Sequence, residues 1–367
     1  MLWIKAFLTD RTQRVVVNGE SSELEVVKSG VPQGTVLGPL LFLIYLNDIH
    51  HVISYSTIRL FADDARLIKK INCFNDAFHL QTDLLGIMKW AEENNMVLNE
   101  DKFQYLQHKS QNSLKNALPS DLPFVFYENC YETFNEHLIY PIEKVSDLVV
   151  LISPDMSFSM HISDIVKKAN SRSAWVLSVF KSRDKNALLT LFKSVVRSLV
   201  EYCCPLWSPT KQSDIRKIEG VQRNLTSKIM NCEHLHYWER LKMLNLMSLQ
   251  RRRERFMIIY VWKIINNLVP NDVAITTSFS TRNGIMCDIP QLPIIRRNLN
   301  EYDRFFSVHG CRLWNMLPKN IKECDSLGKF KSSLDTYLLK FPDTPPITGQ
   351  ITLTSNSLLD YRHLHIR

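Results

Sequence analysis

No stretch of this chain is apolar for long enough to cross a bilayer: the longest strongly apolar run, residues 36–46, falls well short of the ~20 residues that a spanning helix needs. The apolar core of a signal peptide is missing too, because Lys5 interrupts residues 1–8. Eight cysteines show none of the regular spacing of a disulfide framework, and Cys203 and Cys204 stand too close in sequence to bridge easily. No segment repeats at a fixed period. These absences argue against a membrane span, a disulfide-stapled scaffold and a repeat array. They lead to the expectation of a soluble intracellular chain in a reducing compartment.

What is present suits a globular protein. With 367 residues, 45% hydrophobic and 22% charged, the chain is large enough for two or three compact units with their own cores. The net charge of +8 leans toward an acidic partner, and its distribution says more. Residues 1–150 carry 13 Lys and Arg against 19 Asp and Glu, whereas residues 151–367 carry 32 against 18. An acidic first part that tolerates cations, followed by a basic second part, suits a catalytic platform joined to a nucleic-acid grip. Solvated helix faces would account for any single basic run equally well.

The pattern within the first part is specific. Phe61-Ala62-Asp63-Asp64 lies between the strand-like runs 57–61 and 65–71, so a hairpin turn is expected to display two carboxylates. Oxygen ligands of this kind hold Mg²⁺, and phosphoryl transfer uses Mg²⁺ to stabilise attacking and leaving oxygens. Upstream lies Ser29-Gly30-Val31-Pro32-Gln33-Gly34. Gly30, Pro32 and Gly34 allow a backbone to approach a substrate closely, and Gln33 offers amide groups to a base or sugar. Taken alone, the box reads as a tight turn starting the next helix, and the Asp pair as an ordinary turn.

The remaining periodicities place these boxes. Asn18-Gly19 predicts a hairpin between residues 14–18 and 23–28, residues 37–51 read as a buried helix with Leu40, Leu41, Ile44 and Tyr45 inward, and residues 75–93 as an amphipathic helix. Short strands are expected at 96–98, 102–107 and 149–153, with no assignment beyond loop or hairpin for 110–140. Helices are then expected at 162–181, 186–202, 213–230, 238–244, 249–268, 302–316 and 327–341, with a turn-rich connector at 271–293 and a poorly ordered tail after Pro342. The fold class is therefore α+β, with an all-α second part.

The segment SGVPQGTVLGPLLFLIYLND (29–48) together with Phe61–Asp64 closely resembles the reverse transcriptases of non-LTR (LINE-type) retrotransposons. The likeness extends over roughly residues 3–340: Trp90, Asn99 and Lys102 match the region near the incoming nucleotide, and DLVVLISPDMSFSMHI (147–162) looks like the primer grip. It implies a partial palm at 1–157, a helical thumb and connection at 158–270, a C-terminal helical region at 271–341 and a tail at 342–367. It also implies Mg²⁺ held by Asp63 and Asp64. Phe61 and Ala62 would lie under the primer end, and Gly30, Pro32, Gln33 and Gly34 would face template or nucleotide. Lys102 would face the triphosphate as a general acid or charge clamp. RNA template, DNA primer and deoxynucleoside triphosphates are the implied partners, in a nuclear or cytoplasmic ribonucleoprotein.

Two departures temper this. The family's palm uses another Asp on a strand several tens of residues before the Gln-Gly box, and the only aspartate before Ser29 is Asp10, so an N-terminally truncated reverse transcriptase without unaided activity is expected. Val149 also stands where the family usually has Gly. A non-catalytic RNA- or DNA-binding protein and an unstable product of a decayed element are the alternatives. Arg251, Arg252, Arg253 and Arg255 are weighed as contacts to a nucleic-acid backbone or as a solvated face. Cys232, His234 and His236 lack the second ligand pair that zinc needs, and Trp175, Trp207, Trp238 and Trp314 are expected in the core.

Overall fold

The computed structural model describes residues 2–108, 131–133, 138–270, 281–282, 285–286, 305–341, 343 and 357–359. The chain divides into two units, Met1–Glu143 and Lys144–Arg367. Mixed helix and strand run through it, as the α+β reading requires. Most of the 110–140 segment and the 271–293 connector lies outside the described residues.

The first unit opens with α1 (Leu2–Leu8) and four short strands, β1 (Thr12–Gln13), β2 (Val16–Val17), β3 (Glu20–Ser21) and β4 (Glu25–Val26). They fold back at Asn18-Gly19, where φ is 52° and 89°, the paired left-handed conformation of a type I′ hairpin. Next come α2 (Leu37–Leu46), β5 (Thr57–Phe61), β6 (Asp64–Ile68) and α3 (Phe74–Glu93). The core between them is small: Leu46, Ile49, Trp90 and Ala91, with Ile58 and Met96 packed alongside. Residues 96–107 are not the two strands expected, since Glu100–Lys102 form a 3-10 turn and Tyr105 makes one parallel bridge to Pro141.

Helix α2 is helical as expected but mostly not buried, Gly38 and Leu46 excepted. Leu40, Leu43 and Tyr45 are exposed, and Ile44 is 63% exposed. The reason lies in the sheets. Strands β7 (Tyr131–Glu132) and β8 (Leu138–Ile139) form one more ribbon, and every described strand pairs with a single antiparallel neighbour. No described sheet is broad enough to cover both faces of an apolar helix.

The second unit begins with the ribbon β9 (Val145–Asp147) and β10 (Val150–Ile152), then becomes helical. Helices Ser159–Val179, Lys185–Leu191, Gln212–Thr226 and Leu249–Ile265 follow the apolar spacing read from the sequence to within a few residues. The expected helix at 186–202 is interrupted by a π-helical turn, Phe192–Val196, before it resumes at Arg197–Glu201. Phe192, Trp207, Ile218 and Leu225 form one core, in which each fully buried large side chain contributes about 1.5–3 kcal/mol. Trp262, Trp314, Phe330 and Leu358 share another. That second core joins helices on both sides of Pro270, so residues 305–341 pack with Leu249–Ile265.

One expectation about a side chain fails here, and the tail is described only at 343 and 357–359. At those residues the Asp343 carboxylate accepts from Ser248 N–H and Oγ at the start of the Leu249 helix, and the Leu358 N–H donates to Glu254 at 2.9 Å. Trp207 and Trp314 are buried as expected and Trp238 is half-buried, but Trp175 is 50% exposed on an outward ridge with Arg172 at 5.9 Å from its ring.

Candidate functional site

The Asp pair sits at the tip of β5–β6. Phe61 pairs with Asp64, leaving Ala62 and Asp63 as a two-residue turn. Ala62 enters the left-handed region with φ of 50°, a conformation that costs a non-glycine residue about 1–2 kcal/mol. Both carboxylates and the Phe61 ring are exposed to solvent. The tip is thus open, with hard oxygen donors on two adjacent residues.

The base of the hairpin is anchored. Asp83, 1% exposed on α3, accepts the backbone N–H of Ser54 at 2.9 Å and of Tyr55 at 3.0 Å. The Tyr55 ring stacks on His79 with centroids 4.0 Å apart. From β6's end, Lys69 donates to the Tyr55 carbonyl at 2.8 Å. None of these ties was read from the sequence. One signal was there: Asp83 falls between Leu80 and Ile87 on an inward stripe, where an acid is costly unless it caps backbone donors.

The Gln-Gly box is a loop held from both sides. Arg11 donates through Nη2 to the carbonyls of Ser29 at 3.2 Å and Gly30 at 2.6 Å. Gly30 and Gly34 have φ of 78° and 74°, which glycine adopts without strain. Thr35 Oγ1 donates to the Pro32 carbonyl at 2.9 Å and accepts the Gly38 N–H at 3.0 Å. A Cβ on Gly38 would lie 2.5 Å from the Pro32 oxygen, so this glycine allows the box to fold against α2. Gln33 and Gly34 are exposed, and Pro32 is half-buried. The box is tied to Trp90 through its own helix, since Asp48 accepts from Trp90 Nε1 at 3.2 Å. Lys102 is exposed on the Glu100–Lys102 turn rather than on a strand.

Among the described residues no three His, Cys, Asp or Glu side chains come together as a metal-binding group. That holds for the Asp63-Asp64 tip and for Cys232, His234 and His236. Cys232 is buried, both histidines are exposed, and the His236 N–H is spent on Glu239 at 3.0 Å. The six described cysteines are free thiols.

In the second unit the four arginines weighed as a nucleic-acid contact or a solvated face are turned inward. Arg251 and Arg253 are each 1% exposed, Arg252 makes a two-point ion pair with Glu201, and Arg255 makes one with Asp335. These four side chains serve helix packing in this structure. Arg253 lies near buried Glu219, whose carboxylate accepts from the Tyr237 hydroxyl and the Leu249 N–H. Burial raises the Glu219 carboxyl and lowers the Arg253 guanidinium from their ordinary ranges.

Residues 147–162, which the resemblance likens to a primer grip, run from the end of β9 through β10 into the start of the Ser159 helix. Leu148 and Val149 make the β9–β10 turn, with φ of 44° and 71°. Both positions therefore want glycine, and Val149, 72% exposed, gains no packing in return. His161, with its titration lowered by burial, accepts the Leu151 N–H at 3.2 Å and packs edge-on against Trp207.

Comparison with known proteins shows what the chain is similar to. Residues 1–115, which hold both boxes, match the family model described as reverse transcriptase (RNA-dependent DNA polymerase). Among curated proteins, the chain is 29% identical over 241 residues to the probable RNA-directed DNA polymerase from transposon X-element of Drosophila melanogaster, covering 63% of this chain and 25% of that protein. It is 25% identical over 239 residues to the RNA-directed DNA polymerase from mobile element jockey of the same species, covering 62% of this chain and 25% of that protein. The resemblance to non-LTR retrotransposon reverse transcriptases, carried by Ser29–Asp48 and Phe61–Asp64, is thereby established. The chain spans about a quarter of the length of the curated relatives it matches. No solved structure matches it significantly.

Proposed function

We propose that this chain is part of an RNA-directed DNA polymerase of a non-LTR retrotransposon, its first unit contributing to a Mg²⁺-dependent nucleotidyl-transfer site. The observation that carries the reading is the exposed pair Asp63-Asp64 on a strained turn whose base is anchored by Asp83. Two carboxylate groups fit Mg²⁺ in donor type, and a bound cation would neutralise charge on a transferring phosphoryl group. Asp63 and Asp64 hold that cation, and the exposed Phe61 and Ala62 support the primer end. Gly30, Pro32, Gln33 and Gly34 receive template or nucleotide, and the Lys102 ammonium faces the triphosphate. RNA template, DNA primer and deoxynucleoside triphosphates are the partners, within an intracellular ribonucleoprotein.

We also infer that these 367 residues alone do not extend a primer. Two carboxylates are too few for a two-metal cage, and no third ligand joins them among the described residues. The test is extension of a DNA primer on an RNA template in Mg²⁺, using the chain alone and joined to a longer segment of the element, each with Asp63→Ala. Extension by the longer protein that Asp63→Ala abolishes supports the reading. Equal extension with and without Asp63 sinks it. The basic second part favours a second reading, nucleic-acid binding without catalysis, in which affinity survives Asp63→Ala and falls steeply with salt.

A further inference from the structure

A cavity of about 460 Å³ opens in the second unit, lined by Arg223, Leu235, His236, Tyr237, Trp238 and Arg240. Its chemistry is aromatic and cationic. The Arg223 guanidinium lies 5.0 Å from the Tyr237 ring centre and that of Arg240 lies 5.7 Å away, while Trp238 stands beside Tyr237 with ring centres 4.8 Å apart. Tyr237 has its hydroxyl committed to buried Glu219, so the ring rather than the oxygen serves the cavity. Arg240 is 6% exposed and donates to the carbonyls of Leu235 at 2.8 Å and Arg223 at 3.2 Å, which leaves its Nε buried without a hydrogen-bond partner.

The cavity stands at the end of a basic stripe. Arg216 and Arg223 are seven residues apart on the Gln212–Thr226 helix, two turns and ~10 Å along one face, and Lys228 follows just past its end. All three are exposed, and no ion pair engages them among the described residues. Between them Gly220 leaves open space. The helix's acids are withdrawn: Asp214 is buried and paired with Ser159 and Lys217, and Glu219 is buried under Tyr237. On the cavity's own helix, Glu239 is spent on the His236 N–H.

We propose that this face binds a single strand of nucleic acid, its phosphates along Arg216, Arg223 and Lys228 and one base seated in the cavity against Trp238. Guanidinium forks match phosphate oxygens, and a planar base gains stacking on an aromatic ring. A cavity of this size takes a group of nucleobase dimensions, which a flat anionic membrane does not supply. The site uses no residue of the Asp63-Asp64 tip, so it stands whether or not that tip supports polymerisation.

The experiment measures binding of the full chain to fluorescein-labelled oligouridylate and oligothymidylate by anisotropy, across a range of salt. Arg216→Gln, Arg223→Gln and Lys228→Gln together are expected to weaken binding at least tenfold and to reduce the salt slope by about 2, at ~0.7 per single-strand phosphate contact. Unchanged melting of the triple variant is expected, because all three side chains are exposed. A control with the same charge loss at Lys319, Lys329 and Lys340 keeps affinity within twofold, and an equal loss in that control overturns the proposal. A strand of abasic sugar-phosphates is expected to bind several-fold more weakly, whereas equal affinity would overturn the seating of a base. Competition separates the sources: free uridine monophosphate or inorganic phosphate matching the strand's affinity overturns strand binding. Arg223-dependent capture by phosphatidylserine vesicles, with oligonucleotide affinity untouched, overturns it as well. Asp63→Ala is expected to leave this affinity intact, so failure here is distinguishable from failure of the polymerase reading.

Discussion

The carboxylate of Asp83 accepts the backbone N–H of Tyr55 at 3.0 Å, and its other oxygen accepts that of Ser54 at 2.9 Å. One buried acid on α3 thereby sets where β5 begins, and β5 carries the chain to Asp63.

Asp83→Ala is expected to destabilise the first unit by about 2–3 kcal/mol, since it strands two backbone donors that are partly buried. Urea unfolding gives the loss, and hydrogen exchange at Ser54 to Phe61 shows whether the hairpin loosens first. Unchanged protection across those amides would refute the anchoring role.

Gly38→Ala places a methyl group 2.5 Å from the Pro32 carbonyl oxygen, which is backbone and cannot swing aside. The expected cost is about 1–3 kcal/mol, because the box must shift off α2. A crystal structure or amide chemical shifts of residues 29–38 would register the displacement, while Gly220→Ala, open on its helix face, should leave stability nearly unchanged.

Val149→Gly relieves a β-branched residue held at φ of 71° in the Leu148-Val149 turn. Stability is expected to rise by about 1 kcal/mol, the left-handed penalty less the greater chain entropy of glycine. Thermal melts of the two proteins decide it, and a lower melting temperature for the glycine variant would show that the turn is not strained.

Burial raises the Glu254 carboxyl from its ordinary 4.5 to about 7. Between those values the folded chain still holds the proton that the unfolded chain has released. Stability from this group is therefore full at low pH and is lost as pH rises through the window, by at most ~1.4 kcal/mol per pH unit. Urea midpoints measured at about pH 5 and about pH 7.5 should fall with pH more steeply in the native protein than in Glu254→Gln. Identical slopes would contradict the assignment.

Arg252→Ala breaks the two-point pair with Glu201, in which both side chains are mostly buried, and should cost about 1–2 kcal/mol. Oligonucleotide affinity of the folded variant should stay within twofold. A large loss of affinity with little loss of stability would restore the surface role for this arginine cluster.

The helices of the second unit were legible because apolar residues recur at three- and four-residue spacing, and burial of that stripe is what forms them. The Asn18-Gly19 and Asp63 turns were legible because local backbone chemistry decides them. Burial of particular faces was not. Leu40 and Ile44 read as core, yet no described sheet covers them, and Trp175 read as core, yet its helix turns it outward.

By itself, the sequence determined the two boxes, their order, the tight turns and the resemblance to non-LTR reverse transcriptases, all properties of short stretches whose chemistry is local. Tertiary structure decided which charges are free. Arg251 to Arg255 look like a basic face along one segment, but Glu201 and Asp335, 51 and 80 residues away, and a closed core draw them inward. Arg216, Arg223 and Lys228 look unremarkable in sequence, but the acids of the Gln212–Thr226 helix are buried, and Arg223 lines an aromatic cavity. Charge is written residue by residue, whereas its availability depends on partners that only folding brings within reach.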